Sequence, residues 1–148
     1  MIISIASGAI AVRHESKTTI YAQPEAVFDQ LRLFRELYEL CSDDEAIAYI
    51  NRERQQGNGP AAIASARRLG RLEALLTANF FLYEFVDASD WQTSLGALPS
   101  GEIQRNRHIK AMMIERFPEV RVTLGTAEAL ALLSWACPAP RRPAESLF

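Results

Sequence analysis

Two carboxylates follow an apolar run at a point where protein sites are common. Asp87 and Asp90 come directly after Phe80–Val86, a run that predicts a buried strand. Ligands of open α/β sheets collect at strand ends, so this pair could bind a metal ion or a polar substrate. An acid placed before Trp91 could instead cap a short helix, which is the commoner use of such residues. The pair is therefore a candidate site with a structural alternative.

Glu128 is a carboxylate within an otherwise apolar helix. The segment Thr126–Cys137 predicts a helix whose alanine and leucine side chains are buried. A buried carboxylate needs a hydrogen-bonding partner, an opposite charge or a metal ion. Close to the start of a helix, however, an acid is also stabilised by the helix dipole. Both interpretations of Glu128 stay open at this point.

Basic residues recur on two predicted helices. Such side chains on neighbouring elements could contact the phosphates of a nucleic acid, and they could equally be solvated helix faces. The formal net charge of −2 excludes a general basic field, so a nucleic-acid surface would be a local patch. The candidates are Arg67, Arg68 and Arg71 on a helix over Ala61–Asn79, and Arg105, Arg107 and Lys110 on a helix over Ser100–Phe117.

Composition indicates one folded domain. With 148 residues, 49% of them hydrophobic, the chain is long enough for one core and short for two. Cys41 and Cys137 are expected to be buried free thiols, and no cysteine or histidine spacing indicates a zinc site. No apolar run is long enough to cross a bilayer, so we expect a cytoplasmic protein without membrane contact. The proline-rich segment 138–148 is expected to be a flexible tail, outside a single domain over residues 1–137.

The first part of the chain predicts three strands and two helices. The helix over Pro24–Leu40 would bury Val27, Leu31, Phe34 and Tyr38 at i, i+4, i+7 and i+11. A capping-box pattern at Ser42 predicts a second helix, from about Asp43 to Gln55. The strands are predicted over Met1–Ser7, Ala9–Arg13 and Lys17–Ala22.

The second part predicts helices around one strand. Within the helix over Ala61–Asn79, Gly70 is expected to allow a close backbone approach. Arg121–Leu124 could be a short strand or an extended link. The aromatic residues Phe80, Phe81 and Trp91 are expected in the core rather than as base-stacking platforms. The helix over Ser100–Phe117 is expected to bury Ile103, Ile109, Met112, Met113 and Phe117.

This order of elements resembles the RuvC-type Holliday-junction resolvases, particularly the compact phage forms. The best segment is Leu69–Leu95, where a helix with a glycine precedes a strand ending in Val86-Asp87-Ala88-Ser89-Asp90-Trp91. A basic helix ending in Phe-Pro follows at Gln104–Pro118, and Ala127-Glu128-Ala129-Leu130 resembles the closing motif of the family. The resemblance implies an α/β, ribonuclease H-like fold with a mixed sheet flanked by helices.

The family chemistry implies four acids that hold two Mg²⁺ or Mn²⁺ ions. The first acid position falls on Ala6. The second falls on Asn51 if Ile47–Ile50 is a strand, or on Ala22 if the strand is Thr18–Tyr21. The third position is Gly125. The fourth is Glu128, the one position that keeps a carboxylate.

Three of the four positions therefore lack an acid, either by natural loss or by design. If the chain does cleave DNA, the resemblance points to Glu128 and Asp87 as metal ligands. The leading hypothesis is a RuvC-like protein related to Mg-dependent structure-specific endonucleases, with weak or lost catalysis. The alternative is a non-catalytic protein on the same fold that binds DNA or a protein, in regulation or phage defence.

The resemblance also implies partners. Resolvases of this family act on branched or duplex DNA as twofold dimers, since a four-way junction presents two equivalent strands. A dimer face could lie on Val27–Leu40, or on Ala61–Asn79, which corresponds to the family's dimer helix. The proline-rich tail could bind a further protein.

Overall fold

A mixed five-stranded sheet forms the centre of the protein. The computed structural model describes residues 1–41, 45–52 and 57–137. Strand order is β3-β2-β1-β4-β5; β1 pairs antiparallel with β2 and parallel with β4, and β5 continues the parallel half. The predicted α/β architecture is confirmed. The strands are β1 Ile2–Ala6, β2 Ala9–His14, β3 Lys17–Ala22, β4 Ile47–Arg52 and β5 Leu82–Asp87.

Five helices flank this sheet in the described residues, and they bury two apolar clusters on its opposite faces. The first cluster lies under α3, α4 and α5, and the second under α1 and α2. No described helix is long and apolar enough to cross a membrane. The helices are α1 Val27–Cys41, α2 Pro60–Ala78, α3 Ala88–Thr93, α4 Glu102–Arg116 and α5 Leu124–Ala136.

A tight turn joins β1 to β2. Ser7 and Gly8 have positive φ angles of 49° and 75°. Two-residue hairpin turns with positive φ at both positions match the twist of the paired strands, and glycine takes this conformation without strain. The turn fixes the Ser7 side chain at the carboxyl end of β1.

The helix predicted from Asp43 to Gln55 is wrong, because Ile47–Arg52 is strand β4. Ala48 and Ile50 are 0% and 1% exposed, and the strand pairs with β1 on one side and β5 on the other. Burial between two parallel neighbours outweighs a local capping signal, which is a weak determinant by itself. Ser42, which suggested the cap, lies outside the described residues.

Helix α1 buries a different face from the predicted one. Val27 and Tyr38 are 47% and 44% exposed. The buried residues are Gln30, Phe34, Leu37 and Cys41, which have the same i, i+4, i+7, i+11 spacing displaced by three positions. The predicted and the observed faces share Phe34 and have the same spacing, so helical periodicity did not distinguish them. The buried Gln30 amide nitrogen donates to the carbonyl of Pro24, while its buried side-chain oxygen has no partner among the described residues.

Two predictions about single side chains in the helices are also wrong. Ile103 is exposed near the start of α4, whereas Ile109, Met113 and Phe117 are buried as expected. Gly70 faces open space, because beyond the adjacent backbone of its own helix no atom lies within 4 Å of the place that a Cβ would take. A larger residue could therefore occupy position 70 without a clash.

Phe80 is not in the core. It is 81% exposed in the turn between α2 and β5, while Phe81 and Trp91 are buried. Arg121–Leu124 forms no strand, because Leu124 already begins α5. The side chains and backbones of Thr123 and Thr126 form a capping box at this helix start.

Both cysteines are free. Cys41 is buried, whereas Cys137 is only half-buried, so the expectation of two buried thiols is wrong for Cys137. Partial burial raises the pKa of the Cys137 thiol, against the opposing effects of the nearby Arg13 and amino-terminal charges. The thiol is therefore protonated at neutral pH and is a poor nucleophile.

We expect Leu132→Ala in α5 to lower the free energy of unfolding by about 2–5 kcal/mol, because it leaves a cavity in the core. Leu132 is 0% exposed. Leu124→Ala in the same helix is the matched control, since Leu124 is 53% exposed. Urea denaturation measures both. Equal losses for the two variants would contradict the described packing of α5.

Candidate functional site

The carboxyl ends of the three parallel strands meet at one edge of the sheet. In the pairing register Ile5 faces Ile50, and Asn51 faces Val86. A cleft of about 460 Å³ opens at this edge, within the size range of small-molecule sites. Its lining residues are Ser7, Asn51, Arg52, Ala88, Ser89, Glu102, Arg105 and Glu128.

Glu128 reaches the cleft from α5. The helix is fixed on β1 by a buried hydrogen bond of 2.6 Å, which Ser4 Oγ donates to the Ala129 carbonyl. Ser7 Oγ then donates a hydrogen bond to Glu128 Oε2 across the end of β1. Glu128 lies five residues after its helix cap at Thr123, beyond the first turn where the dipole acts. A hydrogen-bonding partner therefore explains its position better than the dipole does.

Asn51 is fixed by the indole of Trp91. The Trp91 Nε1–H donates to Asn51 Oδ1 over 3.0 Å, and both side chains are buried. Trp91 belongs to α3, the short helix that follows β5, so this bond joins the ends of two parallel strands. Ala22, the other candidate for the second acid position, lies on the edge strand β3 and does not line the cleft.

Asp87 and Asp90 lie beside the cleft but do not line it. Asp87 occupies the N-cap position of α3, although its side chain makes no capping hydrogen bond. Strand alternation directs Asp87 away from Val86, which packs under α5, and so toward the face covered by α1 and α2. Asp90 is exposed in the first turn of α3. Neither member of the sequence-predicted pair therefore joins Glu128 in the lining of the cleft.

Solved structures show how this sheet is used elsewhere. RuvC of Thermus thermophilus, in complex with a Holliday junction substrate, matches with a TM-score of 0.57 and 10% identity, over 92% of this chain and 91% of that chain. The chain has the RuvC fold. A second structure of Thermus thermophilus RuvC gives a TM-score of 0.55 and 9% identity, over 92% of each chain. The sequence matches no protein-family profile and no curated protein.

In this RuvC-like fold the cleft does not fit two divalent ions. Ala6 is 4% exposed and has no donor atom, Gly125 has no side chain, and the Asn51 amide is bound to Trp91. Two magnesium ions need several anionic oxygens. Among the described residues, no group of three or more acidic, histidine or cysteine side chains could hold a metal ion. Glu128 and Glu102 are the carboxylates that line the cleft.

The predicted basic residues divide into two sets. Arg105 lines the cleft, and Arg68 lines a small hollow that shares Ser7 and Asn51 with it. Arg67 and Arg71 are exposed on α2, and Arg107 and Lys110 lie on α4 without lining the cleft.

Sequence reasoning missed Arg52. It directly follows Asn51 at the end of β4, lines the cleft, and holds its guanidinium 5.5 Å above the Phe85 ring. Its place next to a candidate acid position was the available signal. It was lost because Asp43–Gln55 was assigned to a helix.

We expect Trp91→Phe to destabilise the protein more than Trp135→Phe does. The first change leaves the buried Asn51 Oδ1 without its donor, which costs about 1–3 kcal/mol in addition to the loss of packing. Trp135 is half-buried against Tyr49, and its indole donates to no described residue. Denaturant unfolding of both variants is the measurement. Similar losses would argue against the hydrogen bond between Trp91 and Asn51.

Proposed function

We propose that this chain binds branched or duplex DNA on its RuvC-like scaffold and cleaves it weakly or not at all. The observation that carries the proposal is the cleft at the carboxyl ends of β1, β4 and β5. Asn51 and Glu128, which line it, stand at two of the positions where the resemblance implies acids. Ala6 at the end of β1 and Gly125 in the first turn of α5 stand at the other two. The chain thus has the RuvC-like fold without the carboxylates that would bind two metal ions.

DNA is supported as the ligand by two observations. A structure with this fold holds a Holliday junction. The exposed Arg67 and Arg71 of α2 lie on the helix that also carries Arg68 to the small hollow beside the cleft. Because the whole chain carries a net charge of −2, binding would depend on this local patch and would weaken with salt.

Weak catalysis follows from the donor set. Resolvase-type cleavage would use Mg²⁺ or Mn²⁺ to polarise a phosphate and to activate a water molecule. Glu128 would be the metal ligand in this cleft, and its carboxylate already accepts a hydrogen bond from Ser7. Asp87, the second candidate ligand, belongs to the other side of β5. With Glu102 as the one further carboxylate in the cleft lining, the site holds a hard divalent cation weakly.

A symmetric dimer is the proposed assembly. A four-way junction has two equivalent halves, so a twofold protein presents each half with the same surface. Helix α2 is the better-supported interface, because Ile63 is 50% exposed in an apolar groove near the start of this helix. The alternative face on α1 exposes Phe28 and Tyr38.

A protein partner is the second candidate ligand. Phe80 is 81% exposed just before the edge strand β5, and Leu82, the first residue of that strand, is 60% exposed. Tyr38 packs on Phe80. Exposed apolar groups of this kind suit a protein surface better than a nucleic acid. The predicted tail partner remains a proposal, since residues 138–148 lie outside the described part of the chain. Regulation or phage defence would be the setting of either binding function.

We expect the protein to bind a synthetic four-way junction without efficient cleavage in Mg²⁺ or Mn²⁺. Gel analysis of end-labelled strands measures cutting. Any residual cleavage should disappear with Glu128→Gln and persist with Glu119→Gln, because Glu119 pairs with Arg13 and lies outside the cleft. Cleavage at rates typical of enzymes would overturn the proposal.

We expect Arg67→Ala and Arg71→Ala each to weaken junction binding. The slope of log affinity against log salt should fall by about 0.9 for each DNA phosphate that the variant no longer neutralises. Lys17→Ala is the charge-matched control, because Lys17 lies beyond β2, at the opposite edge of the sheet from the cleft. Fluorescence anisotropy across a salt series measures the affinity. The same titration should give a stoichiometry of two chains per junction. Absence of binding to both junction and duplex DNA would redirect the search to a protein partner.

A further inference from the structure

We propose that the cleft binds a DNA phosphate directly, between the guanidinium groups of Arg52 and Arg105, with no metal ion. The inference rests on the proposed function, in which the ligand is DNA. It follows from a mismatch between the RuvC fold and the residues that line the cleft. Two arginine side chains line it, but it has too few carboxylates to bind two metal ions.

Of the two arginines, Arg105 gives the stronger support for a phosphate site. It lies in α4, half-buried, and its Nη1 makes one long contact of 3.4 Å to the Ser100 carbonyl. Its Nε is buried and has no hydrogen-bond partner in the part of the chain that the structure describes. An unsatisfied charged donor is costly in a protein interior, so its position at a cleft wall indicates an absent acceptor.

Arg52 is an exposed cation at the end of β4. Its side chain lies over Phe85, which restricts its mobility without satisfying its N–H donors. The ion pairs found among the described residues, Arg13 with Glu119 and Arg32 with Asp29, include neither Arg52 nor Arg105. Two guanidinium groups whose N–H donors can still bind a ligand therefore line one cleft.

The chemistry of a phosphodiester matches these donors. A guanidinium group presents a planar fork of N–H donors that can bind two oxygens of one phosphate. Ser7, Ser89 and Asn51 add neutral polar groups around the same cleft. Phosphate oxygens would thus meet charged donors where metal ions would otherwise neutralise them.

Glu102 and Glu128 oppose an anion in this cleft, and they supply the sharpest test. In a metal-mediated site, removing the Glu128 carboxylate weakens phosphate binding because the metal is lost. In a site made of guanidinium groups, the same change removes a repulsive charge and strengthens binding. The two mechanisms therefore predict opposite signs for Glu128→Gln.

The experiment measures binding of a fluorescent four-way junction by the full chain, in EDTA, by anisotropy. We expect undiminished wild-type affinity in EDTA, at least a tenfold loss for Arg52→Ala and for Arg105→Ala, and tighter binding for Glu128→Gln and Glu102→Gln. Lys17→Ala controls for the loss of one positive charge. Arg105→Lys keeps the charge but not the fork, and should recover part of the lost affinity even where Arg105→Ala folds poorly.

The outcomes separate this inference from the proposed function. Junction binding that needs Mg²⁺, that ignores both arginine substitutions, or that weakens with Glu128→Gln overturns the phosphate site and leaves DNA binding in place. Absence of any DNA binding overturns the proposed function. In that case, inorganic phosphate titrated against wild-type protein and the Arg52→Ala/Arg105→Ala variant decides the site by NMR. Equal responses overturn the site, whereas a response confined to the wild type supports it.

Discussion

Helix α5 packs against the middle of the sheet, and that contact brings Glu128 to the strand ends that line the cleft. Its alanine and leucine side chains are buried against β1 and β2, and Ser4 donates a hydrogen bond from within β1 to the Ala129 carbonyl. A hydroxyl at the centre of a strand is costly unless it is satisfied. Here it is satisfied by the helix itself, one residue beyond Glu128. Burial of α5 thus fixes both the height and the rotation of the carboxylate above the end of β1.

The sequence located helices and strands well where the spacing of apolar residues agreed with the positions of helix- and strand-breaking residues. Strands β2 and β3 and helices α2 and α5 lie within a few residues of their predicted bounds. The largest failure, the helix predicted over β4, has long-range strand pairing as its physical cause. Strand β4 is determined by β1 and β5, neither of which is near it in sequence, while Ser42 and Glu45 carried a purely local helix signal. The same cause hid Arg52, because its importance depends on the strand end at which it stands.

The site was partly predictable for a related reason. Glu128 and Arg105 were named from their residue types, and both line the cleft. Their partners could not be named, since Ser7 meets Glu128, and Trp91 meets Asn51, only after the parallel strands are aligned. Asp87 shows the opposite limit. It stands at the correct strand end, but the alternation of side chains along β5 directs it to the other face.

The hydrogen bond between Trp91 and Asn51 has a consequence for how this fold can change. A metal-binding cleft would need acids at positions 6, 51 and 125, and a carboxylate in a buried position needs a hydrogen-bonding partner, an opposite charge or a metal ion. Ala6 and Asn51 are nearly inaccessible to solvent, so an acid introduced at either position would place a charge in the core. At position 51 the Trp91 indole could still donate to the carboxylate, whereas Ala6 has no such partner among the hydrogen bonds described above. Gly125 differs, because it is exposed in the first turn of α5, where the helix dipole favours an acid. Substitutions toward a nuclease would therefore have to come in a particular order, with the exposed position changed before the buried ones.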